Sequence, residues 1–293
     1  MDRPRLLLAL CALFWAGNFV LARAMHEAIP PFALAFWRWA LATVVILPFV
    51  FQPLVRQWPL LRAHLLRMLI LALLGVSGFN TFVYLGLQTT TATNGVLLQS
   101  TMPVQILLLN WLLFRHAFRV GELGAILLSM SGVAVIVSGG EPMRLFAGDW
   151  NLGDLWILGA ALVWALYSVL LRWRPPGLDS RAFLGFTLLA GTVVLAPFFV
   201  VETFTGPSPQ WGLPTVLTVV YVAVFPSALA YLFWNRGVEA VGANRAGHFV
   251  HLMPVFGVLM AVVFLGEEFG WFHAAGVLLV AGGVGLTSFH RHR

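Results

Sequence analysis

The sequence predicts an all-α polytopic membrane protein, with ten transmembrane helices arranged as two inverted five-helix repeats. The 293-residue chain is 60% hydrophobic and only 10% charged, with a mean hydropathy of +0.90. Soluble domains carry about 25% charged residues, so this composition is typical of a membrane protein. Ten apolar stretches approach the ~20 residues that a transmembrane helix needs. These predicted spans, numbered 1 to 10 in chain order, are 5–23, 31–51, 65–86, 91–114, 120–138, 152–171, 181–201, 213–234, 242–265 and 270–289.

The second half of the chain repeats the first. The matches at a shift of 149 residues include Trp15 with Trp164, Arg23 with Arg172, Thr43 with Thr192 and Pro48 with Pro197. The matches at a shift of 151 include Gly86 with Gly237, Pro103 with Pro254 and Gly132 with Gly283. Since each copy contains five spans, the second copy enters the membrane upside down, as in many alternating-access carriers. We therefore predict a single membrane domain over 1–293, with a first repeat at 1–140 and a second, inverted repeat at 150–293.

The charged residues predict the orientation in the membrane. Net charge is +6 and every basic residue is an arginine. If both termini are cytoplasmic, nearly all arginines lie on the inner side and most acidic residues on the outer side, as the positive-inside rule requires. The basic charge then needs no nucleic acid partner. Cys11 is the only cysteine, and the sequence predicts neither a metal site nor a cofactor.

Span 1 has an alternative interpretation as a signal peptide that ends near Ala22-Arg23-Ala24, but its alignment with span 6 favours a retained membrane span.

Spans 1 and 6, and their neighbours 3 and 8, carry polar and aromatic stripes on matching faces. The stripes consist of Trp15 and Asn18 in span 1, Trp164, Tyr167 and Ser168 in span 6, Asn80 and Tyr84 in span 3, and Tyr231 and Asn235 in span 8. Lipid penalises exposed amides and hydroxyls, so these faces point inward. Interhelical hydrogen bonds would explain any one residue, whereas four stripes in register favour a shared aqueous cavity.

Spans 4 and 9 are less symmetric. Span 4 carries Asn94 and Gln99, and span 9 carries Asn244, His248 and His251 at positions i, i+4 and i+7. Each histidine is either a hydrogen-bonded packing residue or a cavity residue. The predicted substrate-binding residues are Trp15, Asn18, Asn80, Tyr84, Asn94, Gln99, Trp164, Tyr167, Ser168, Tyr231, Asn244, His248 and His251.

The remaining spans carry one charge and many small residues. Arg38 in span 2 lies ~10 Å below the outer end of its helix, at 1.5 Å per residue; a structural ion pair with Glu267 or Glu268 is favoured over substrate contact. The many glycines of spans 5 and 10 let helices pack closely, and this favours packing inside the chain over a dimer interface. Both a monomer and a homodimer are therefore expected as alternatives. No carboxylate lies in the middle of a span, which argues against a cation pump and favours facilitated diffusion of a neutral or zwitterionic solute.

Four residues are candidate hinges. Pro103 and Pro254 interrupt the matched spans 4 and 9, and Pro226 in span 8 aligns with Gly75 in span 3. Proline removes a backbone hydrogen bond and permits a kink. Paired bends of this kind fit one bundle rocking against the other.

Several motifs resemble the EamA family of the drug/metabolite transporter superfamily. They are the Trp15-Ala16 and Trp164-Ala165 steps, Arg38 following Pro31, and the stretch from Pro254 to the step Gly266-Glu267. The resemblance covers the whole chain, although Arg115 stands in the first copy where a Gly-Glu step is expected. Within the superfamily the chain is similar to bacterial aromatic amino acid exporters of the inner membrane, which implies a pathway between spans 1, 3, 4, 6, 8 and 9.

The leading hypothesis is a transporter, not an enzyme, that exports amino acids, with aromatic and other bulky apolar ones favoured. Its expected partners are a small-molecule substrate and the lipid bilayer. Another small metabolite, such as a nucleoside or a drug-like compound, is the alternative substrate. An alternative of another class is an intramembrane serine protease, because the stretch Gly75 to Gly78 resembles a nucleophile motif in which Ser77 would act with His251.

Overall fold

The fold is helical throughout the part of the chain that the computed structural model describes, namely residues 3–115, 120–141, 143–147, 150–241, 246 and 248–289. No strand occurs in these ranges. The long helices are α1 (Arg3–Ala24), α2 (Pro31–Arg56), α3 (Leu65–Gly86), α4 (Ala92–Phe114), α5 (Val120–Val137), α6 (Leu152–Trp173), α7 (Ser180–Thr205), α8 (Leu213–Val241), α9 (Leu252–Leu265) and α10 (Trp271–Phe289). Two short helices, Trp58–Ala63 and Met143–Ala147, lie in the connections.

Seven of these helices are long and apolar enough to cross a membrane, judged over the described residues: α1 to α4 and α6 to α8. Shorter apolar stretches lie in the other three, over Ile126–Val137, Phe249–Leu265 and Trp271–Gly283. Large apolar side chains cover the outside of the bundle; Phe204, for example, is 84% exposed. Such a surface is stable against lipid and unfavourable in water.

Local sequence explains where the helices begin and end. Pro31 occupies the first turn of α2, where a missing N–H costs nothing. The side chain of Thr91 accepts the backbone N–H of Asn94 at the start of α4. Asp179 does the same for Arg181 at the start of α7, and this hydrogen bond lowers the pKa of the Asp179 carboxyl.

The two copies end corresponding helices in the same way. Arg115 follows α4 with φ 54°, and Gly266 follows α9 with φ 66°, so both residues are left-handed. Glycine adopts this conformation freely, whereas a residue with a Cβ pays roughly 1–2 kcal/mol. The departure of Arg115 from the expected glycine therefore leaves the backbone turn intact.

Each candidate hinge lies at a break in regular α-helix. Gly75 lies in a π-helical segment of α3, Leu73–Gly78, and Pro226 lies in a π-helical segment of α8, Val224–Leu229, which starts 151 residues later. Pro103 follows the 3₁₀ turn Gln99–Thr101 within α4, and Pro254 follows the 3₁₀ turn His248–His251 ahead of α9. Proline cannot donate the i→i−4 hydrogen bond, which accounts for three of the four breaks.

Helix packing exchanges partners between the two copies. Helix α1 packs on α8 and α9, while α6 packs on α3 and α4. Helices α2 and α7 pack along each other, and there the hydroxyls of the matched residues Thr43 and Thr192 lie 3.4 Å apart. Helices α5 and α10 pack most extensively, and a Cβ on Gly132 would lie 2.6 Å from the carbonyl oxygen of Gly276. Gly132 and Gly276 therefore serve close packing inside the chain.

Candidate functional site

A buried arginine lies at the centre of the bundle. The Arg38 side chain is 5% exposed, and its Nε donates to Ser227 Oγ at 2.8 Å. Its Nη1 contacts three further oxygens: Asn18 Oδ1 at 3.0 Å, Asn80 Oδ1 at 2.6 Å and Tyr84 Oη at 2.8 Å. The Tyr84 hydroxyl in turn donates to Asn18 at 2.7 Å. These five side chains form the Arg38 cluster, which joins α1, α2, α3 and α8.

The predicted ion pair of Arg38 with Glu267 or Glu268 is wrong. Within the described residues Arg38 makes no salt bridge, and Glu267 instead accepts the backbone N–H groups of Ala92 and Thr93 at 2.7 and 2.9 Å. Burying an unpaired charge costs several kcal/mol. Charge-assisted hydrogen bonds of about 1.5–3 kcal/mol each offset that cost here. Arg38 is thus solvated by neutral oxygen atoms rather than neutralised.

A cavity of about 690 Å³ opens at one end of the bundle, between α2, α7 and α8. Apolar residues dominate its walls, as in most small-molecule sites, and its volume lies within their usual range of about 300–1,000 Å³. A smaller cavity of about 180 Å³ lies between α3, α6, α7 and α8. The two share Ser180, Leu184 and Tyr231 in their walls, and the predicted residues Tyr167 and Gly75 line the smaller one.

The charged groups in the two cavity walls are all arginines. They are Arg56 and Arg181 in the larger cavity and Arg174 in the smaller one; no Asp or Glu is among the described lining residues. Arg181 pairs with Asp179 at 3.6 Å, and Arg174 donates to Ser180 and to the carbonyl of Leu178. The cavity mouth therefore carries positive charge.

Side-chain hydrogen bonds close the other end of the bundle. Asp154, 2% exposed, accepts a hydrogen bond from the Thr90 hydroxyl. Asn94 Nδ2 lies 3.1 and 3.2 Å from the two carboxylate oxygens of Asp154, and Nε2 of His273 lies 3.1 Å from Asn94 Oδ1. Together with Thr90, Asn94 and His273, Asp154 forms the Asp154 cluster, which Glu267 joins through the α4 N-terminus. Nearby, Glu202 accepts the backbone N–H groups at the start of α2.

The sequence analysis did not predict most of the Asp154 cluster. Asp154 and His273 lie within the first four residues of their predicted spans, so they were not counted among the residues deep in the membrane. Asn94, which is predicted to bind substrate, bridges Asp154 and His273 in this structure. The position of Asp154 could have indicated a structural role. It comes three residues after the N-cap Asn151, in the first turn of α6, where a carboxylate stabilises the helix N-terminus.

The other predicted site residues lie in several places. Trp15 donates from Nε1 to the carbonyl of Pro226 at 3.1 Å, and the ring of Trp164 packs on Phe79 and Tyr167. The Ser168 hydroxyl is bonded within its own helix, to the Trp164 carbonyl at 2.7 Å.

The remaining predicted polar residues lie in or next to spans 4, 8 and 9. Gln99 is 6% exposed, and both polar atoms of its side chain make no hydrogen bond to the described residues. His251 is exposed. Asn244 lies outside the described residues, as do the side chains of His248 and Asn235.

The pathway expected from the family resemblance differs from the observed cavity. The described lining comes from α2, α3, α6, α7 and α8, together with Arg174. Helices α2 and α7 were not expected to contribute, because their apolar faces carry no polar stripe.

In the part of the chain that the structure describes, the Ser77 hydroxyl is not hydrogen-bonded to His251. The Ser77 side chain is 3% exposed, and its hydroxyl donates to the carbonyl of Gly191 in α7 at 2.9 Å. A nucleophilic serine requires a base within hydrogen-bond reach. Ser77 therefore fastens α3 to α7.

Comparison with known proteins decides the family. The EamA-like transporter family model matches residues 4–138 and again residues 151–289. The chain belongs to the EamA-like transporter family. It is 30% identical over 298 residues to an uncharacterized transporter of Archaeoglobus fulgidus, covering 100% of this chain and 99% of that one. It is 31% identical over 281 residues to the uncharacterized transporter YetK of Bacillus subtilis, covering 92% and 82% of the two chains.

One solved structure confirms the fold. A crystal structure superimposes with a TM-score of 0.64 at 22% identity, covering 99% of this chain and 97% of that one. The chain is thus a multi-pass membrane protein of a transporter family, with a small-molecule substrate and a lipid environment.

Proposed function

We propose that this transporter exports amino acids, with aromatic and other bulky apolar ones favoured, by alternating access. One observation carries the proposal: the bundle is open at one end and hydrogen-bonded shut at the other, and the buried Arg38 cluster lies between. A fixed pore would be open at both ends. A carrier that exposes its site to one side at a time needs this asymmetry.

Three features support two inverted repeats of five spans, at 1–140 and 150–293. The family model matches twice, the two π-helical segments begin 151 residues apart, and Thr43 contacts its own repeat counterpart Thr192. Contact between equivalent residues is expected where a two-fold pseudo-axis passes. Rocking of one repeat against the other would then bend the chain at Gly75, Pro226 and their neighbours.

The arginine distribution favours cytoplasmic termini in a bacterial inner membrane. In that orientation the open cavity faces the cytoplasm and the Asp154 cluster faces outward. An exporter collects its substrate from this side. The cavity also suits the substrate: apolar walls accept a bulky side chain, and Tyr167 and Tyr231 offer rings and hydroxyls.

Flux measurements test this function. Purified protein in liposomes is expected to move labelled phenylalanine or tryptophan down a gradient, above empty liposomes. A parallel panel of nucleosides and drug-like compounds identifies the alternative substrates. Flux of those compounds without flux of any amino acid would refute the assignment of amino acids as substrates, and the proposal of an alternating-access carrier would still stand.

A further inference from the structure

We infer that Arg38 binds the carboxylate of the substrate, so that the transported class is carboxylates with an apolar body and the ammonium group is dispensable. The inference rests on the proposed function for its transport step. It also goes further, because it ranks the two charged ends of an amino acid. The carboxylate is required, and the amine is not.

The first argument is that Arg38 is a buried cation without an anion. Its four partners, on α1, α3 and α8, are neutral oxygen atoms, and none of its bonds within the described residues reaches a carboxylate. An ionised group in a low-dielectric interior attracts an opposite charge far more strongly than it would in water. The site therefore favours an anionic occupant over a neutral or cationic one.

The second argument is that the Arg38 guanidinium is held in place while one of its nitrogens still has hydrogen-bond donors to offer. Its Nε and Nη1 make four hydrogen bonds, which hold the plane in place. Its second terminal nitrogen, Nη2, makes no hydrogen bond in the described structure. A held guanidinium with a free edge matches the geometry of a carboxylate.

The third argument links Arg38 to the cavity. Its partner Ser227 lies on the π-helical segment of α8, between Val224 and Ala228, which both line the larger cavity. Tyr231, one turn further along, lines both cavities. A small movement of this segment during rocking would bring the substrate's carboxylate to Arg38.

The fourth argument concerns the ammonium group. The described lining contains three arginines and no acidic side chain. A substrate ammonium would find no counter-charge there and would meet arginines at the mouth. An amine therefore adds nothing to recognition in this state.

Three probes of one shape separate these contributions: phenylalanine, phenylalaninamide without the carboxylate, and 3-phenylpropanoate without the amine. Flux into liposomes and binding to purified wild-type protein are measured for each. We expect 3-phenylpropanoate to be bound and moved at least as well as phenylalanine, and phenylalaninamide roughly tenfold more weakly or not at all, given the strength of charged hydrogen bonds. Equal handling of acid and amide would overturn the inference.

Variants then assign the preference to Arg38. Arg38→Gln should abolish the discrimination between acid and amide, and Arg38→Lys should retain part of it. Arg62→Gln removes the same charge from an exposed position outside the cavity walls and should change nothing. If Arg38→Gln folds and keeps the wild-type discrimination, the inference is wrong; the wild-type probe series decides the matter even if that variant does not fold.

The same probes separate the inference from the proposed function. Transport of 3-phenylpropanoate without phenylalanine would refute amino acid export and keep the carboxylate site. Transport of phenylalanine without transport of 3-phenylpropanoate would refute the inference that the ammonium group is dispensable and keep amino acid export. Failure of all three probes in both flux and binding would refute both.

Discussion

The carboxylate of Glu267 is expected to hold the outer end of the bundle shut. It accepts two backbone N–H groups at the first turn of α4, from Ala92 at 2.7 Å and Thr93 at 2.9 Å. In Glu267→Gln, the amide keeps one acceptor oxygen and turns an NH₂ group toward the second N–H. One charge-assisted hydrogen bond of about 1.5–3 kcal/mol is lost, and the favourable interaction with the helix N-terminus, typically 0.3–1 kcal/mol, is lost with it.

These terms sum to about 2–4 kcal/mol against the closed outer end, which is roughly a 30- to 900-fold shift toward states in which that end is open. Labelling with a membrane-impermeant maleimide measures the shift. Replacing Cys11, the only cysteine, by alanine gives a cysteine-free background. Thr93→Cys then places a thiol at a position that is 0% exposed in the closed end. Adding Glu267→Gln should speed its labelling from the outer side by at least about tenfold.

Glu268→Gln is the matched control, because it makes the same chemical change one residue along, at an exposed side chain. It should label at the parent rate. Equal labelling of the Glu267 and Glu268 variants, with both proteins folded by size-exclusion chromatography, would refute the view that Glu267 closes the outer end.

Three further predictions concern stability, measured by thermal unfolding in detergent. Trp15→Phe removes the donor to the Pro226 carbonyl and should cost about 1 kcal/mol; an unchanged melting temperature would show that this bond is replaced. Gly132→Ala should cost about 1–3 kcal/mol through overpacking against α10, whereas Gly124→Ala, with nothing within 4 Å of its Cβ, should be neutral or slightly stabilising; equal effects would contradict the packing argument. Asp179→Ala should remove about 1 kcal/mol of helix capping at neutral pH. Because the pKa of Asp179 is lowered by folding, its contribution is present above the unfolded pKa and is lost as pH falls through the folded pKa, so wild type and variant should converge in acid.

Hydropathy and the repeat gave the helices and many of their breaks, because those features depend on local composition. Span 3 was predicted at 65–86 and α3 covers Leu65–Gly86. The ends were less accurate where amphipathic turns continue past the apolar stretch. For example, α8 continues to Val241, beyond the predicted end at 234.

The candidate site was harder to predict, since it depends on which helices meet. The inward faces of Asn18, Asn80 and Tyr84 followed from periodicity, and these three side chains do meet. Their common partner Arg38 was assigned to a carboxylate, because charge pairing is the usual expectation for a buried cation. Nothing in the sequence indicated that neutral oxygens from three other helices would surround it.

The π-helical segments make the number of residues in α3 and α8 as important for the Arg38 cluster as the identity of those residues. Each such turn accommodates one residue more than an α-helical turn, and in α3 the extra residue precedes Asn80 and Tyr84. If Leu73–Gly78 tightened to a plain α-helix with the same number of residues, everything beyond it would be rotated by about 100°. Asn80 and Tyr84 would then turn away from Arg38, although no residue of the cluster had been changed. Relatives that keep this site should therefore preserve the spacing between these segments and their polar side chains more strictly than the identity of the residues in between.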